Sequence, residues 1–369
     1  MNLNNKIDEL LSLNPFQLSA SKKKEKLMKI IKLQIEHHLK YCKEYKNWFN
    51  ENAFLSPNKI KNYNDVPFLP SSVFKYMDLK SVKKTKSKII RSSGTSSNLK
   101  SKIVIDASTS VNQRRSLSKI LAYIIGKKRK TFYVLDAKPS NDSRSYEINA
   151  RVAGMQGYMI AANSIKYLLI KKRDKLILDK SVLLNLKKNP DAVLIGYTYM
   201  FWKHVVENDS FQLKKSELLN NLSLIHFGGW KKLSDLRIGK KEFTNALMKK
   251  LCINIKKIFD IYGFTEQLGT IYPSNGYGNC RVSSFSHVLV RDVNTLKILP
   301  DGESGFLQFI SPIPLSYPGF SLLNDDVGKI SKRIKGKNGE EELEFEVFPR
   351  LNKAVSRGCG DTLPENYYI

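Results

Sequence analysis

The stretch "LSLIHFGGWKKL", residues 222–233, opens with a short apolar run and closes on a glycine pair followed by two lysines. A run of that length bounded by glycine reads as a buried strand ending in a turn. Open α/β sheets place ligand-binding turns at such strand ends, so Gly228 and Gly229 are candidate binding positions. The same rhythm repeats outward. Runs rich in Val, Ile and Phe occur at "KIVID" (102–106), "TFYVLD" (131–136), "AVLIG" (192–196) and "KKIFDIYG" (256–263). Helical stretches at 110–125, 199–207 and 240–251 lie between them. Strand alternating with helix predicts an α/β domain on a mostly parallel sheet.

The flanks differ from this centre. Residues 22–50 read as one amphipathic helix, with Leu27, Ile30, Ile31, Ile35, Leu39 and Cys42 at helical spacing. Its neighbours His37 and His38 fall on different faces, which disfavours a metal site. Residues 51–85 are irregular and hold Pro57, Pro67 and Pro70. After Arg281 the chain turns to strands and tight turns around Pro300-Asp301-Gly302, and residues 335–369 are rich in lysine and glutamate. The expected division is 1–85, a helical region and irregular connection; 86–280, an α/β core; 281–328, a β-rich subdomain; and 329–369, a short C-terminal segment.

Bulk properties exclude several classes. With 369 residues and 41% apolar composition the chain can bury a sizeable core. No run approaches the roughly 20 apolar residues of a membrane span, and the start lacks the basic and apolar regions of a signal peptide. A cytoplasmic protein is expected. Cys42, Cys252, Cys280 and Cys359 are far apart with no C-x-x-C pair, which argues against a disulfide framework or a zinc site. The net charge of +28 makes a strong positive field, suited to anionic partners, but no nucleic-acid signature accompanies it.

Two further stretches carry chemistry. "RSSGTSS" (91–97) supplies hydroxyls around a glycine that lets the backbone approach a ligand. On its residues alone it is open between a solvated linker and a phosphate cradle; the spacing of a Walker A loop is absent. "DIYGFTEQLG" (260–269) sets an aromatic, a glycine, a hydroxyl and a carboxylate at a strand end. There Tyr262 can stack on a flat ring, Thr265 can bind a phosphate oxygen, and Glu266 can hold Mg²⁺. "LLNDDVG" (322–328) offers carboxylates for ribose hydroxyls.

The ordered set "SSGTSS … HFGGWK … YGFTEQ … LLNDDVG" resembles the adenylate-forming superfamily, and within it the LuxE-type acyl-protein synthetases. The resemblance runs from about residue 30 onward. It implies a large adenylate-forming domain with parallel-rich sheets, a β-rich subdomain and a truncated C-terminal domain. It implies ATP and Mg²⁺ as cofactors, with Ser92, Ser93, Gly94, Thr95, Ser96 and Ser97 on the phosphates. Gly228 and Gly229 would line adenine, Tyr262 would stack on it, Gly263 would belong to the same nucleotide-binding set, Thr265 would touch the α-phosphate, and Glu266 would bind Mg²⁺. Asp326 would take the ribose, although Asn324-Asp325-Asp326 leaves the register between the two aspartates open. "GYTYMF" (196–201) resembles the stretch lining an acyl pocket.

The resemblance further implies activation of a carboxylic acid, a fatty acid by analogy with luminescence relatives. An acyl-adenylate forms first, and its acyl group passes to a thiol. In "RGCG" (357–360), Cys359 sits between glycines and beside Arg357, a setting that favours thiolate. It is the expected acceptor, delivering onward to a partner such as a reductase subunit. Delivery to CoA or an acidic acyl carrier protein is the alternative, and a basic nucleic-acid-binding or scaffold role is a third reading. Only 43 residues follow Asp326. The superfamily's swinging domain is expected to be truncated and its catalytic lysine motif has no place in this stretch; Lys337 and Lys353 are the candidate substitutes, and Lys231 or Lys232 is a candidate contributor to charge neutralisation at the phosphates.

Overall fold

In the computed structural model, the described residues are 2–82, 87–92, 100–139, 147–173, 175–189, 191–211, 222–228, 238–336 and 339–348, with no side-chain description for 147–153 and 275. The centre is a seven-stranded sheet. Five of its strands are parallel: β4 (Lys130–Ala137), β6 (Ala162–Lys172), β8 (Ala192–Tyr197), β9 (Ser223–Phe227) and β10 (Ile258–Tyr262). Two antiparallel edge strands, β7 (Lys175–Leu178) and β11 (Tyr272–Asn275), close it.

The central strands are apolar throughout because both faces are covered. Phe132, Val134, Val193, Ile195, Ile225 and Ile261 enter one core, together with Leu117, Ile120 and Leu121 of the helix α4 (Ala107–Ile125). Tyr133, Leu135, Leu194, Leu224 and Ile258 enter the other, against Leu183 of α6 (Lys180–Lys187) and Phe243 and Leu247 of α8 (Lys240–Leu251). Alternate residues of one continuous apolar run thus serve two layers.

Strands β6 and β7 escaped the sequence reading. Lysines interrupt both, and their pair Ile170–Ile177 stays largely exposed at the sheet edge. The single helix expected over 22–50 is two, α2 (Ala20–Tyr41) and α3 (Lys43–Glu51). They break at Cys42, whose extended backbone (φ −125°, ψ 106°) redirects the chain so that Tyr45 and Phe49 also reach the core. His37 and His38 find separate partners, the Leu315 carbonyl at 3.1 Å and Ser81 Oγ at 2.8 Å.

A second sheet is antiparallel: β13 (His287–Arg291), β14 (Gly305–Ile310), β15 (Ser321–Lys335), β16 (Glu341–Val347) and β12 (Cys280–Arg281). The short β1 (Leu69–Pro70) joins β15 in parallel, drawing the N-terminal region into this sheet. In β16 the glutamates alternate with buried Leu343 and Phe345, so a stretch that looked like a charged tail is a half-buried strand. The third sheet is small: β2 (Lys88–Arg91) pairs antiparallel with β3 (Lys102–Ile105) and parallel with β5 (Glu147–Asn149).

Candidate active site

Three chain turns named from the sequence emerge at the C-terminal ends of β8, β9 and β10, as open parallel sheets arrange their ligand sites. Strand β9 delivers Gly228 in the left-handed region (φ +95°), where a Cβ would lie 2.8 Å from Tyr197 Cδ1. Only glycine suits both conditions. Phe227 stacks on Tyr158 at 4.9 Å between ring centres and meets Tyr197 edge-on at 4.8 Å. Within 196–201 the side chains divide: Tyr197 faces this turn, whereas Met200 and Phe201 are buried in the second core.

Strand β10 delivers Tyr262, Gly263 and the 3-10 turn Thr265–Gln267. Buried Gln267 fixes that turn, its Nε2 donating to the carbonyls of Phe309 (3.1 Å) and Gly319 (2.9 Å). Tyr317 Oη donates to the Glu266 carbonyl at 3.0 Å. With its backbone held on both sides, Glu266 keeps a half-buried carboxyl. Removal from water pushes that carboxyl above its usual range; the Ser101 side chain and the Lys75 charge offset part of this, and the Asp325 charge adds to it.

Asp326 and Tyr262, 64 residues apart, meet directly: Tyr262 Oη donates to Asp326 Oδ2 at 2.7 Å. Asn324 Nδ2 reaches the same phenol at 3.0 Å and the same carboxylate at 3.3 Å. The Tyr262 ring packs on Phe309 at 5.5 Å. Asp325 has a different role, since its backbone N–H binds the Asn324 side chain at 2.8 Å and its charge acts on Glu266. The two aspartates therefore have different partners.

The serine-rich run connects β2 to β3. Its base is closed where the Ser92 N–H donates to the Ser101 carbonyl (3.0 Å) and the Ser101 N–H donates to Ser92 Oγ (2.9 Å). Ser101 is buried and brings this base to Glu266. Ser93, Gly94, Thr95, Ser96 and Ser97 lie outside the described residues, as do Gly229, Lys231, Lys232, Lys337, Lys353 and Cys359. Of the other cysteines, Cys42 and Cys280 are buried, and burial pushes the Cys42 thiol up to about 11. Neither suits a thiolate role.

Behind the mouth runs a polar chain that sequence reasoning missed. Thr198 Oγ1 is 3.1 Å from His226 Nδ1, His226 is 3.7 Å from Asp260, and Asp260 pairs with Lys240 at 3.2 Å. Burial lowers His226 to about 4, so the ring is neutral at pH 7. Thr198 also approaches the Phe227 and Gly228 carbonyls at 3.3 and 3.4 Å, tying this chain to the glycine turn. No spacing in the sequence reveals it, because its members come from four elements.

The fold is the one found in adenylate-forming ligases. A crystal structure of 2-hydroxyisobutyryl-CoA ligase, in an open conformation with 2-HIB-AMP and CoA, superposes with a TM-score of 0.63 at 14% identity, covering 93% of this chain and 78% of that one. The chain belongs to the LuxE acyl-protein synthetase family, whose model matches residues 2–368. It is similar to a long-chain-fatty-acid–luciferin-component ligase of Aliivibrio fischeri, 25% identical over 375 residues, or 96% of this chain and 92% of the relative. A protein of the same description from Vibrio harveyi is 26% identical over 148 residues, 40% of this chain and 38% of that relative. Among the described residues no helix is long and apolar enough to cross a membrane.

Proposed function

We propose that the protein uses ATP and Mg²⁺ to convert a long-chain fatty acid to its acyl-adenylate, then carries the acyl group on Cys359 to a partner protein. The observation that supports this most directly is the approach of the serine-loop base and the Tyr262–Asp326 corner to the Glu266 turn at the C-terminal end of β10. Family membership and the fatty-acid ligase relatives point the same way.

The carboxylate needs no base, since it is already nucleophilic. One of its oxygens attacks the α-phosphorus, the bond from that phosphorus to the bridging oxygen breaks, and diphosphate leaves with the electron pair. The chain contributes alignment and charge. The serine-rich loop would hold the phosphates, Thr265 the α-phosphate, Tyr262 and the Gly228 turn the adenine, and Asp326 the ribose. Asn324 and Tyr262 together hold Asp326 in one orientation.

Glu266 fits a magnesium ion. It is a carboxylate partly stripped of water with a second carboxylate acting on it, and Mg²⁺ is commonly held by one or two protein carboxylates plus phosphates. When bound, the ion neutralises phosphate charge. In the second half-reaction the Cys359 thiolate attacks the acyl carbonyl and AMP leaves, giving a thioester. A free acceptor thiol suits the reducing cytoplasm.

The basic charge favours a second reading, in which the acceptor is an acidic acyl carrier protein or CoA. ATP–diphosphate exchange with short, long-chain, aromatic and amino acids tests activation, and long-chain acids should stimulate it. Labelled fatty acid should then remain on the protein and be released by hydroxylamine, and Cys359→Ser should abolish that label while sparing exchange. If no acid supports exchange, the reading fails. Transfer that survives Cys359→Ser favours the second acceptor.

A further inference from the structure

Thr198 belongs to the stretch that resembles an acyl-pocket lining, yet the bonds of its hydroxyl lead to the glycine turn. It opens the helical turn Thr198–Phe201 directly after β8 and is 1% exposed. Its Oγ1 has three polar neighbours: His226 Nδ1 at 3.1 Å and the carbonyls of Phe227 and Gly228 at 3.3 and 3.4 Å. Carbonyls only accept, so the single hydroxyl proton goes to them and the His226 ring supplies the remaining bond from Nδ1. Asp260 Oδ1, 3.7 Å from the same nitrogen, favours a proton there. Thr198 thereby holds the two peptide groups that flank the Gly228 Cα. At φ +95° and without a side chain to pack, Gly228 takes its orientation from what those peptide groups bond.

The chain of bonds continues past the histidine. Asp260 pairs with Lys240 at 3.2 Å, and Lys240 Nζ also donates to Ser274 Oγ (3.1 Å) and to the Gly278 carbonyl (3.0 Å). Among the described residues Thr198 and Lys240 share no bond; they are joined only through His226 of β9 and Asp260 of β10. These two strands are neighbours, and Phe227 pairs with Ile261. Gly228 and Tyr262 therefore leave them at matching positions, and a slip of one strand or a turn of the Gly228 peptide changes the spacing between the two.

We propose that Thr198 and Lys240 are positioning residues for the adenine, the two ends of one chain that fixes the Gly228 turn against the Tyr262 strand. The inference rests on the proposed function and deepens it, since that reading gives the base to Gly228 and Tyr262. Both residues act through the turn. Thr198 moves from the acyl side, where residues 196–201 were expected to serve, to the nucleotide side.

The test uses the full chain and two readouts, ATP binding by titration calorimetry and KM values in ATP–diphosphate exchange. Thr198→Val keeps the side-chain shape and removes the hydroxyl. It should weaken ATP binding and raise the KM for ATP about tenfold, the scale of one buried hydrogen bond, with the KM for the fatty acid unchanged. Thr198→Ser keeps the hydroxyl and should recover most of the loss. Lys240, 33% exposed, reads the same chain from its outer end should Thr198→Val not fold, and Lys240→Met should also weaken ATP binding. The double variant Thr198→Val, Lys240→Met should lose little more than the worse single variant, whereas independent residues multiply their losses. Multiplied losses overturn the inference, as does unchanged ATP binding in Lys240→Met. A raised fatty-acid KM with ATP unaffected in Thr198→Val also overturns it and returns Thr198 to the acyl pocket. An unaltered chain that binds ATP but exchanges with no acid counts instead against the proposed function, and the binding losses still decide the inference.

Discussion

Glu341, paired with Lys23, and Glu266 are two carboxylates that the fold draws out of water, and it treats them differently. Lys23 is 2% exposed, meets Glu341 at 3.0 Å, and Glu341 also accepts from Arg333, itself bidentate on Asp301. Every charge in that group is matched, and it ties α2 to β15 and β16. Glu266 instead sits among groups of both signs, with Asp325 raising its pKa and Lys75 and Ser101 lowering it. A closed network suits holding elements together. An incompletely compensated carboxyl on a rigid backbone suits receiving a cation or a ligand.

Breaking the closed network should give the largest effect. Lys23→Met leaves Glu341 and Arg333 with a buried mismatch, a class of change that costs about 3–5 kcal/mol. Thermal unfolding should show the loss, while exchange per folded molecule stays near normal. Lys23→Met combined with Glu341→Leu should recover much of the stability, because a buried pair is often replaceable by apolar groups. If Lys23→Met removes exchange without lowering the midpoint, the network is not merely structural.

Glu266→Gln should reverse that pattern. Exchange should fall about 10²- to 10³-fold, the scale of losing one charge-stabilising group. Stability should hold or rise. The Glu266 carboxyl is raised in the fold, so the fold favours its neutral form: relative stability is full below the unfolded value and declines as pH rises toward the folded value. Glutamine removes that decline. Unfolding midpoints of both proteins between pH 4 and 8 check the sign.

How much of this was legible follows from where each signal sits. The runs at 131–136, 192–196 and 222–227 were readable because burial on both faces demands unbroken apolar residues. The ends of β9 and β10 were readable because a glycine follows each apolar run. Lys75, Ser101 and Asn324 were not, since each matters only through a partner from another sheet. Strand β16 was obscured by composition: its glutamates raised the charge of the segment and hid the alternation of Leu343 and Phe345.

The buried histidines extend the comparison to pH. His226 is lowered to about 4, and His38 and His287 are also lowered by burial. Each binds a proton more readily unfolded, at about 6.5, so stability is full above that value and falls as pH drops toward 4. One such histidine is worth about 3 kcal/mol across this window. His226→Gln should unfold at a pH-dependent midpoint with a visibly shallower slope between pH 6.5 and 4.5. An unchanged slope would place the acid sensitivity on the other two.

The smallest predicted effect separates holding from binding within the site itself. Tyr262 offers a ring, packed on Phe309, and a phenol that holds Asp326. Phenylalanine keeps the first and removes the second. A hydrogen bond to a charged group is worth about 1.5–3 kcal/mol, and Asn324 retains its 3.3 Å contact with the same oxygen, which brings the loss to the lower end. Tyr262→Phe should therefore raise the KM for ATP about tenfold with little change in kcat. Replacing ATP by 2′-deoxy-ATP should affect the unaltered protein more than the variant, because a loosened Asp326 no longer distinguishes the hydroxyl. Equal losses for both nucleotides in both proteins would detach Asp326 from the ribose and leave the tyrosine as packing alone.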